Sequence, residues 1–155
     1  MVGGGITSAA TSAFLSEKLP PGIKVSIWEK ARGAGGRMST SRSSNNPECI
    51  ADLGAQYVTA TPEYEISHKS IYDELLGKKL IKPLSSKIEG MKSKDVKDFV
   101  TTKAGMSSLV KYFFEKSGIK PQFNQHVNEI SLTEDQKWQI FTQVHQNSLI
   151  FRFKT

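Results

Sequence analysis

The sequence predicts an α/β fold built around a parallel sheet, and three observations predict it. Val2-Gly-Gly-Gly-Ile-Thr-Ser8 is a glycine-rich turn opening a helix. Val25-Ser-Ile-Trp-Glu-Lys30 is an extended apolar run that ends in an acid, Glu29. Ala31-Arg-Gly-Ala-Gly-Gly-Arg-Met-Ser-Thr40 follows at once, with a second glycine doublet and Arg37. A glycine turn lets backbone N–H groups and a helix N-terminus approach a pyrophosphate, and an acid at the end of the next strand holds ribose hydroxyls. That is the pattern of a Rossmann-like dinucleotide fold. The Gly35-Gly36 doublet is not needed for NAD. It makes sense where a further phosphate- or ribityl-bearing arm passes a backbone with no Cβ in the way, which points to FAD.

Each element follows in order. Ile6 to about Lys18 is predicted helical, with Ala9, Ala10 and Ala13 small enough to let the helix lie close to a sheet. Pro20-Pro21-Gly22 ends it, and Ile23 to Glu29 reads as a strand in which Ile23, Val25 and Ile27 alternate. Gly33 to Pro47 is polar and reads as a long loop. Thr61-Pro-Glu63 is a helix start, with Thr as cap and Pro in the first turn. Tyr64, His68, Ile71, Tyr72 and Leu75 then make one face, His68 reading as a core residue, and Gly77 closes the helix.

Leu80 to Thr102 alternates poorly and reads as short strands of an inserted sheet. Met106, Leu109, Val110, Phe113 and Phe114 repeat at helical spacing, with Gly118 as stop. Gln122–Leu132, Trp138–Val144 and Ser148–Phe153 read as strands. Residues 1–79 and 104–155 are thus assigned to an incomplete FAD-binding Rossmann-like domain, and 80–103 to the start of a substrate-domain β insertion. Only Met1 and Val2 stand where a first strand of four to six apolar residues is expected, and the strand at Leu149 has just begun when the sequence ends. The expectation is the front part of a longer protein.

Composition narrows the function classes. No run approaches a membrane span, and Met1 to Ala10 lacks the basic residue of a signal peptide. Cys49 is alone and forms no internal disulfide. The net charge of +6 is concentrated in a lysine-rich stretch from Lys78 to Lys103, which carries eight lysines against Glu89, Asp95 and Asp98. It lacks arginine and interleaved aromatics, so a solvated face is preferred to a nucleic-acid site. His68, His126 and His145 show no ligand spacing, so no metal is expected.

Gly3-x-Gly5-x-x-Ser8 departs from the usual fingerprint at its third position, where Ser replaces Gly at a small loss in packing. Glu29 lies 21 residues after Ser8, near the expected spacing of the ribose-binding acid. Arg37 suits an oxyanion or the flavin, because a guanidinium is a planar fork. Replacing Glu29 by Ala is expected to weaken FAD binding while leaving the fold largely intact.

The order of motifs carries a resemblance. The glycine turn, Trp28-Glu-Lys30, Gly35-Gly-Arg-Met-Ser-Thr40, Ala51-Asp-Leu-Gly-Ala-Gln-Tyr57, Tyr72-Asp-Glu-Leu-Leu76 and Pro83-Leu-Ser-Ser-x-Ile-Glu-Gly-Met91 together resemble the renalase family of amine-oxidase-like flavoproteins, from Val2 to about Ile140. The resemblance implies a fold similar to p-hydroxybenzoate hydroxylase and FAD bound without a covalent link. On matching positions it implies that Gly3, Gly5 and Thr7 face the pyrophosphate and Glu29 the adenosine ribose. Gly36 and Arg37 would contact the cofactor's middle, Gln56 and Tyr57 the flavin end, and the backbone of Val127 the adenine.

The implied reaction is oxidation of the 2- and 6-dihydro isomers of NAD(P)H to NAD(P)+, with electrons passing to O2 to give hydrogen peroxide. The hard chemistry is the cofactor's, so no catalytic acid or base is named. The resemblance implies a secreted monomer, and a cytoplasmic one suits the sequence equally. Three alternatives stay open: a flavin amine (catecholamine) oxidase, a nicotinamide-dependent dehydrogenase, and a non-enzymatic, truncated product that binds a partner. A chain of this extent is expected to bind little FAD and to turn over no substrate.

Overall fold

The computed structural model describes residues 1–86, 89–90, 95–102, 104–144 and 147–153. The part of the lysine stretch that holds Lys87, Lys92, Lys94 and Lys103 lies outside them, as does His145. The chain divides into two units, residues 1–36 with 110–155 and residues 37–109.

The first unit starts from α1 (Ile6–Lys18), whose buried face is Ala9, Ser12 and Ala13. These recur at i, i+3 and i+4, so the helix presents one small-residue stripe. Buried Ser12 is satisfied by donating to the Ser8 carbonyl at 2.6 Å. The strand predicted over Ile23–Glu29 is reduced to two parallel bridges at one residue: Trp28 pairs with Val2 on one side and Gln122 on the other. Ile27, Trp28 and Glu29 are buried, whereas Ile23 is 58% exposed. The ladder stops for a local reason. Pro121, beside Gln122, has no N–H to donate, and the glycine turn leads the chain away on the other side. Gln122 itself is bridged singly, and the regular strand after it starts later than predicted, at His126.

The remaining strands of this unit form an antiparallel sheet, β6 (His126–Leu132), β7 (Trp138–Val144) and β8 (Asn147–Phe153), in the order β6-β7-β8. The β6–β7 turn is closed by Thr133, which exchanges backbone and hydroxyl bonds with Lys137. Asp135 in that turn accepts from Thr133 and pairs with Lys137. These bonds lower its pKa to about 2.

In the second unit, part of the predicted long loop is ordered. Thr40–Arg42 is a strand, β1, antiparallel to β2 (Ile50–Asp52), with Thr40 opposite Asp52. Polar composition concealed it, because the register is pinned by a side-chain bond from Thr40 to Asp52 rather than by an apolar face. A second sheet runs β3-β5-β4, from Val58–Ala60, Lys97–Thr101 and Ile81–Pro83. Of the strands in the 80–103 segment, β5 therefore pairs with β3, which precedes that segment, and β4 pairs with β5.

Thr61 caps α2 (Pro62–Ser67) as its sequence predicts, accepting from the Tyr64 N–H. The helix then breaks at His68 and resumes as α3 (Lys69–Gly77). His68 is exposed and stacks on Tyr64 at 5.4 Å, so it is not a core residue. Gly77 remains helical, and the left-handed turn falls instead to Lys79, with φ 56°. Leu75 is buried and Tyr72 stacks on Phe99. The helix α4 (Ser107–Ser117) begins in the second unit and ends in the first. Met106, Leu109, Val110, Phe113 and Phe114 are all buried as predicted, and Gly118 takes the left-handed φ of 68° that stops the helix.

Candidate functional site

The site in the first unit is assembled from backbone. Gly3 has φ 97°, a conformation that costs an L side chain strain. Its N–H donates to the Trp28 carbonyl at 2.7 Å, which sets the turn against the extended segment ending in Glu29. Gly4 is pressed onto that acid: a Cβ there would lie 3.1 Å from both Cγ and Oε2 of Glu29. The second doublet packs beside the first, with the Gly35 N–H donating to the Gly4 carbonyl at 2.9 Å and a parallel bridge from Gly5 to Gly35. Gly36 faces the Cα of Gly5 at ordinary contact distance. The two glycine motifs read separately in the sequence are neighbours.

Gly5 is the N-cap of α1. It supplies no capping side chain, and no acid stands in the first turn. The opening N–H groups of a helix have no intrahelical partner, and the dipole concentrates partial positive charge there. The space where a Cβ of Gly5 would project is open. Thr7, in the first turn, is exposed. A helix end with no side-chain cap suits a phosphate or pyrophosphate.

Glu29 is only 8% exposed. Its Oε2 accepts from the Gly4 N–H at 2.5 Å and its Oε1 from the Ala31 N–H at 2.7 Å. The acid therefore ties the glycine turn to its own strand end, so Glu29→Ala is expected to cost stability as well as ligand affinity. Each carboxylate oxygen keeps a further lone pair, so a ribose hydroxyl can still donate to it. Beside Glu29 a cavity of about 300 Å³ is lined by Val2, Gly3, Trp28, Lys30, Gln125, His126 and Val127. Gly3, Glu29 and Val127, three positions singled out in the sequence, share its wall. Gln125 and Lys30 were not singled out. The available signal was that Gln125 lies two residues before Val127 in an extended run, and so on the same face.

The second unit holds the other candidates, and there the motif residues are bound to one another. Asp52 Oδ1 accepts from the Thr40 hydroxyl at 2.5 Å and from the Met106 N–H at 2.8 Å, while Thr40 Oγ1 accepts from the Ser107 N–H at 3.0 Å. The pair caps the start of α4. Ala55 N–H donates to the Arg37 carbonyl at 2.9 Å, and a Cβ on Gly54 would collide with that carbonyl oxygen. Arg37, Gln56 and Tyr57 are all exposed. Among the described residues, no cluster of three or more His, Cys, Asp or Glu is arranged to hold a metal, and no helix is long and apolar enough to cross a membrane.

The glycine cradle, the open helix N-terminus and the Glu29 cavity fit the adenosine and pyrophosphate of a dinucleotide. The comparisons with known proteins agree with that fit. Residues 1–75 match the NAD(P)-binding Rossmann-like domain family. Over 142 residues, 92% of this chain, the sequence is 40% identical to renalase of Mus musculus, of whose length the chain spans 41%. In fold the chain is similar to aklavinone-11 hydroxylase, solved as a ternary complex with FAD and aklavinone, at TM-score 0.58 and 11% identity over 97% of this chain and 30% of that one. It is also similar to THI4 of Thermovibrio ammonificans, at TM-score 0.56 and 12% identity over 97% and 52% of the two chains. The Diels-Alderase PyrE3 of pyrroindomycin biosynthesis gives 0.54 and 12% over 97% and 29%. At such identities these likenesses speak to fold alone. The chain is Rossmann-like in fold and, over nearly all of its own length, similar in sequence to a part of renalase.

Proposed function

We propose that the first unit is the adenosine–pyrophosphate half of a flavin site, and that the protein acts as an FAD-dependent oxidoreductase of the renalase type. One observation carries this reading: the uncapped start of α1 lies next in chain to the glycine turn, whose Gly3 shares a cavity with Glu29 and Val127. In it the N–H groups at the start of α1 hold the pyrophosphate, Glu29 accepts from ribose hydroxyls, and the Val127 backbone meets adenine. Thr7, Gly36, Arg37, Gln56 and Tyr57 are proposed cofactor contacts on their sequence motifs.

The chemistry that a bound flavin supplies is hydride acceptance and electron transfer to oxygen. The substrates proposed for the whole protein are the 2- and 6-dihydro isomers of NAD(P)H, which with O2 and a proton give NAD(P)+ and hydrogen peroxide. FAD is held without a covalent link. The match to an NAD(P)-binding family favours a second reading, in which the same unit takes NAD(P) itself.

Titration of the purified chain with ADP, FAD and NAD+, followed by the fluorescence of Trp28 in the cavity wall, separates the two. ADP is expected to bind with Kd on the order of 10⁻⁴ M, and FAD at least as well but no tighter than about 10⁻⁵ M. NAD+ binding tighter than FAD would favour the second reading. No response to ADP at millimolar concentration would overturn both.

A further inference from the structure

The second unit contains a cavity of about 330 Å³ that the dinucleotide reading does not use, walled by residues of α2, α3, β4 and β5. Leu76, Pro83 and Phe99 supply its apolar surface, and Tyr72, stacked on Phe99 at 5.5 Å, lines it beside them. Tyr72 is half-buried, and its hydroxyl makes no hydrogen bond among the described residues. Burial pushes its pKa above the ordinary tyrosine value, so at neutral pH it is a donor for which the described chain supplies no acceptor. The charged side chains of the wall are paired, Lys69 with Asp73 and Lys97 with Glu65, so their charges cancel. Each carboxylate commits one oxygen to its pair, Oδ2 of Asp73 and Oε1 of Glu65, and keeps the other. A largely apolar cavity with a few convergent polar groups and a perturbed titratable side chain has the make-up of a small-molecule site.

We propose that this cavity binds an uncharged aromatic ring that carries an amide. The ring packs against Leu76, Pro83 and Phe99. Its carbonyl accepts from the Tyr72 hydroxyl, and its N–H donates to the spare oxygen of Asp73 or Glu65. A charged ligand would have to break one of the two ion pairs or enter without a counter-charge, and either carries a desolvation cost. The site is independent of the glycine turn and the Glu29 cavity, which lie in the first unit.

The test titrates benzamide, benzoate, benzylamine and toluene into the whole chain and follows the ring signals of Tyr72 and Phe99 by NMR. Benzamide is expected to shift both with Kd on the order of 10⁻³ M, and the two charged probes to bind at least about threefold more weakly. Tyr72→Phe removes a hydroxyl that has no partner among the described residues and keeps the ring that stacks on Phe99, so its fold is retained. Followed at Phe99, it is expected to bind benzamide about fivefold more weakly, the loss of one hydrogen bond. Toluene, which lacks the amide, is expected to bind the native and Tyr72→Phe proteins alike. Benzamide that leaves both rings unmoved at about 20 mM overturns the proposal. So does a Tyr72→Phe protein with native affinity for benzamide, a variant that loses toluene as well, or a charged probe that binds better than benzamide.

Discussion

Two regions of this chain carry glycines and an acid in similar sequence clothing, and they use them in opposite ways. In the second unit, Asp52 Oδ1 is spent on the chain: it takes the Thr40 hydroxyl and the Met106 N–H, and together the two residues cap α4. In the first unit, α1 has no side-chain cap, and a Cβ on its N-cap Gly5 would meet nothing within 4 Å. A helix start that is satisfied internally is architecture, and one left open is available to a ligand. Glu29 stands between these cases. It ties Gly4 to Ala31 and still borders a cavity.

Replacing each acid by alanine separates these roles. Asp52→Ala leaves the Met106 N–H and the Thr40 hydroxyl without their acceptor and is expected to cost about 2 kcal/mol of stability, with no effect on ADP affinity. Glu29→Ala strands two backbone N–H groups and is expected to cost a similar amount, while also weakening ADP by roughly one to two decades. Urea denaturation and ADP titration of both variants check this. An Asp52→Ala protein that loses ADP affinity, or a Glu29→Ala protein that keeps it, would erase the distinction between the two acids.

A smaller effect belongs to the β6–β7 turn. The pKa of Asp135 is lowered from 3.8 to about 2, first by its bonds to Lys137 and Thr133. A depressed acid adds stability that is present above its unfolded value and is lost as pH falls through the folded one. The turn's contribution should therefore disappear between about pH 4 and pH 2, and be absent from Thr133→Ala with Lys137→Met. NMR titration of the Asp135 carboxyl follows it directly. A midpoint near 4 in the native chain would remove the turn from this account.

Much of the architecture was legible because it depends on short-range patterns. The Met106–Phe114 stripe, the Thr61 cap and the Gly118 stop are written at fixed offsets, and each is found where its offsets put it. What was not legible depends on partners far along the chain. Thr40–Arg42 reads as polar loop because its strand is pinned by Asp52, twelve residues away. Ile23–Glu29 reads as a strand, yet whether its N–H groups find a ladder is decided at Gln122, beside a proline.

The same holds for the candidate site. Gly3, Gly5 and Glu29 follow from fingerprint spacing, and the structure groups Gly3 and Glu29 with Val127 in one cavity wall. Gln125 carried no motif. Its place in that wall is set by its backbone N–H, which donates to the Glu29 carbonyl.

The central claim is that the open start of α1 is kept open for a phosphate. Gly5→Asp tests it most directly, because φ −89° and ψ −175° at that position suit a capping aspartate and its side chain has room. Capping is expected to raise stability by about 0.5 kcal/mol, while the carboxylate occupies the pyrophosphate position and cuts ADP affinity by at least about 100-fold. Opposite signs in denaturation and in ADP titration are the predicted result. A stabilised Gly5→Asp protein that binds ADP within about threefold of the native chain would contradict the account.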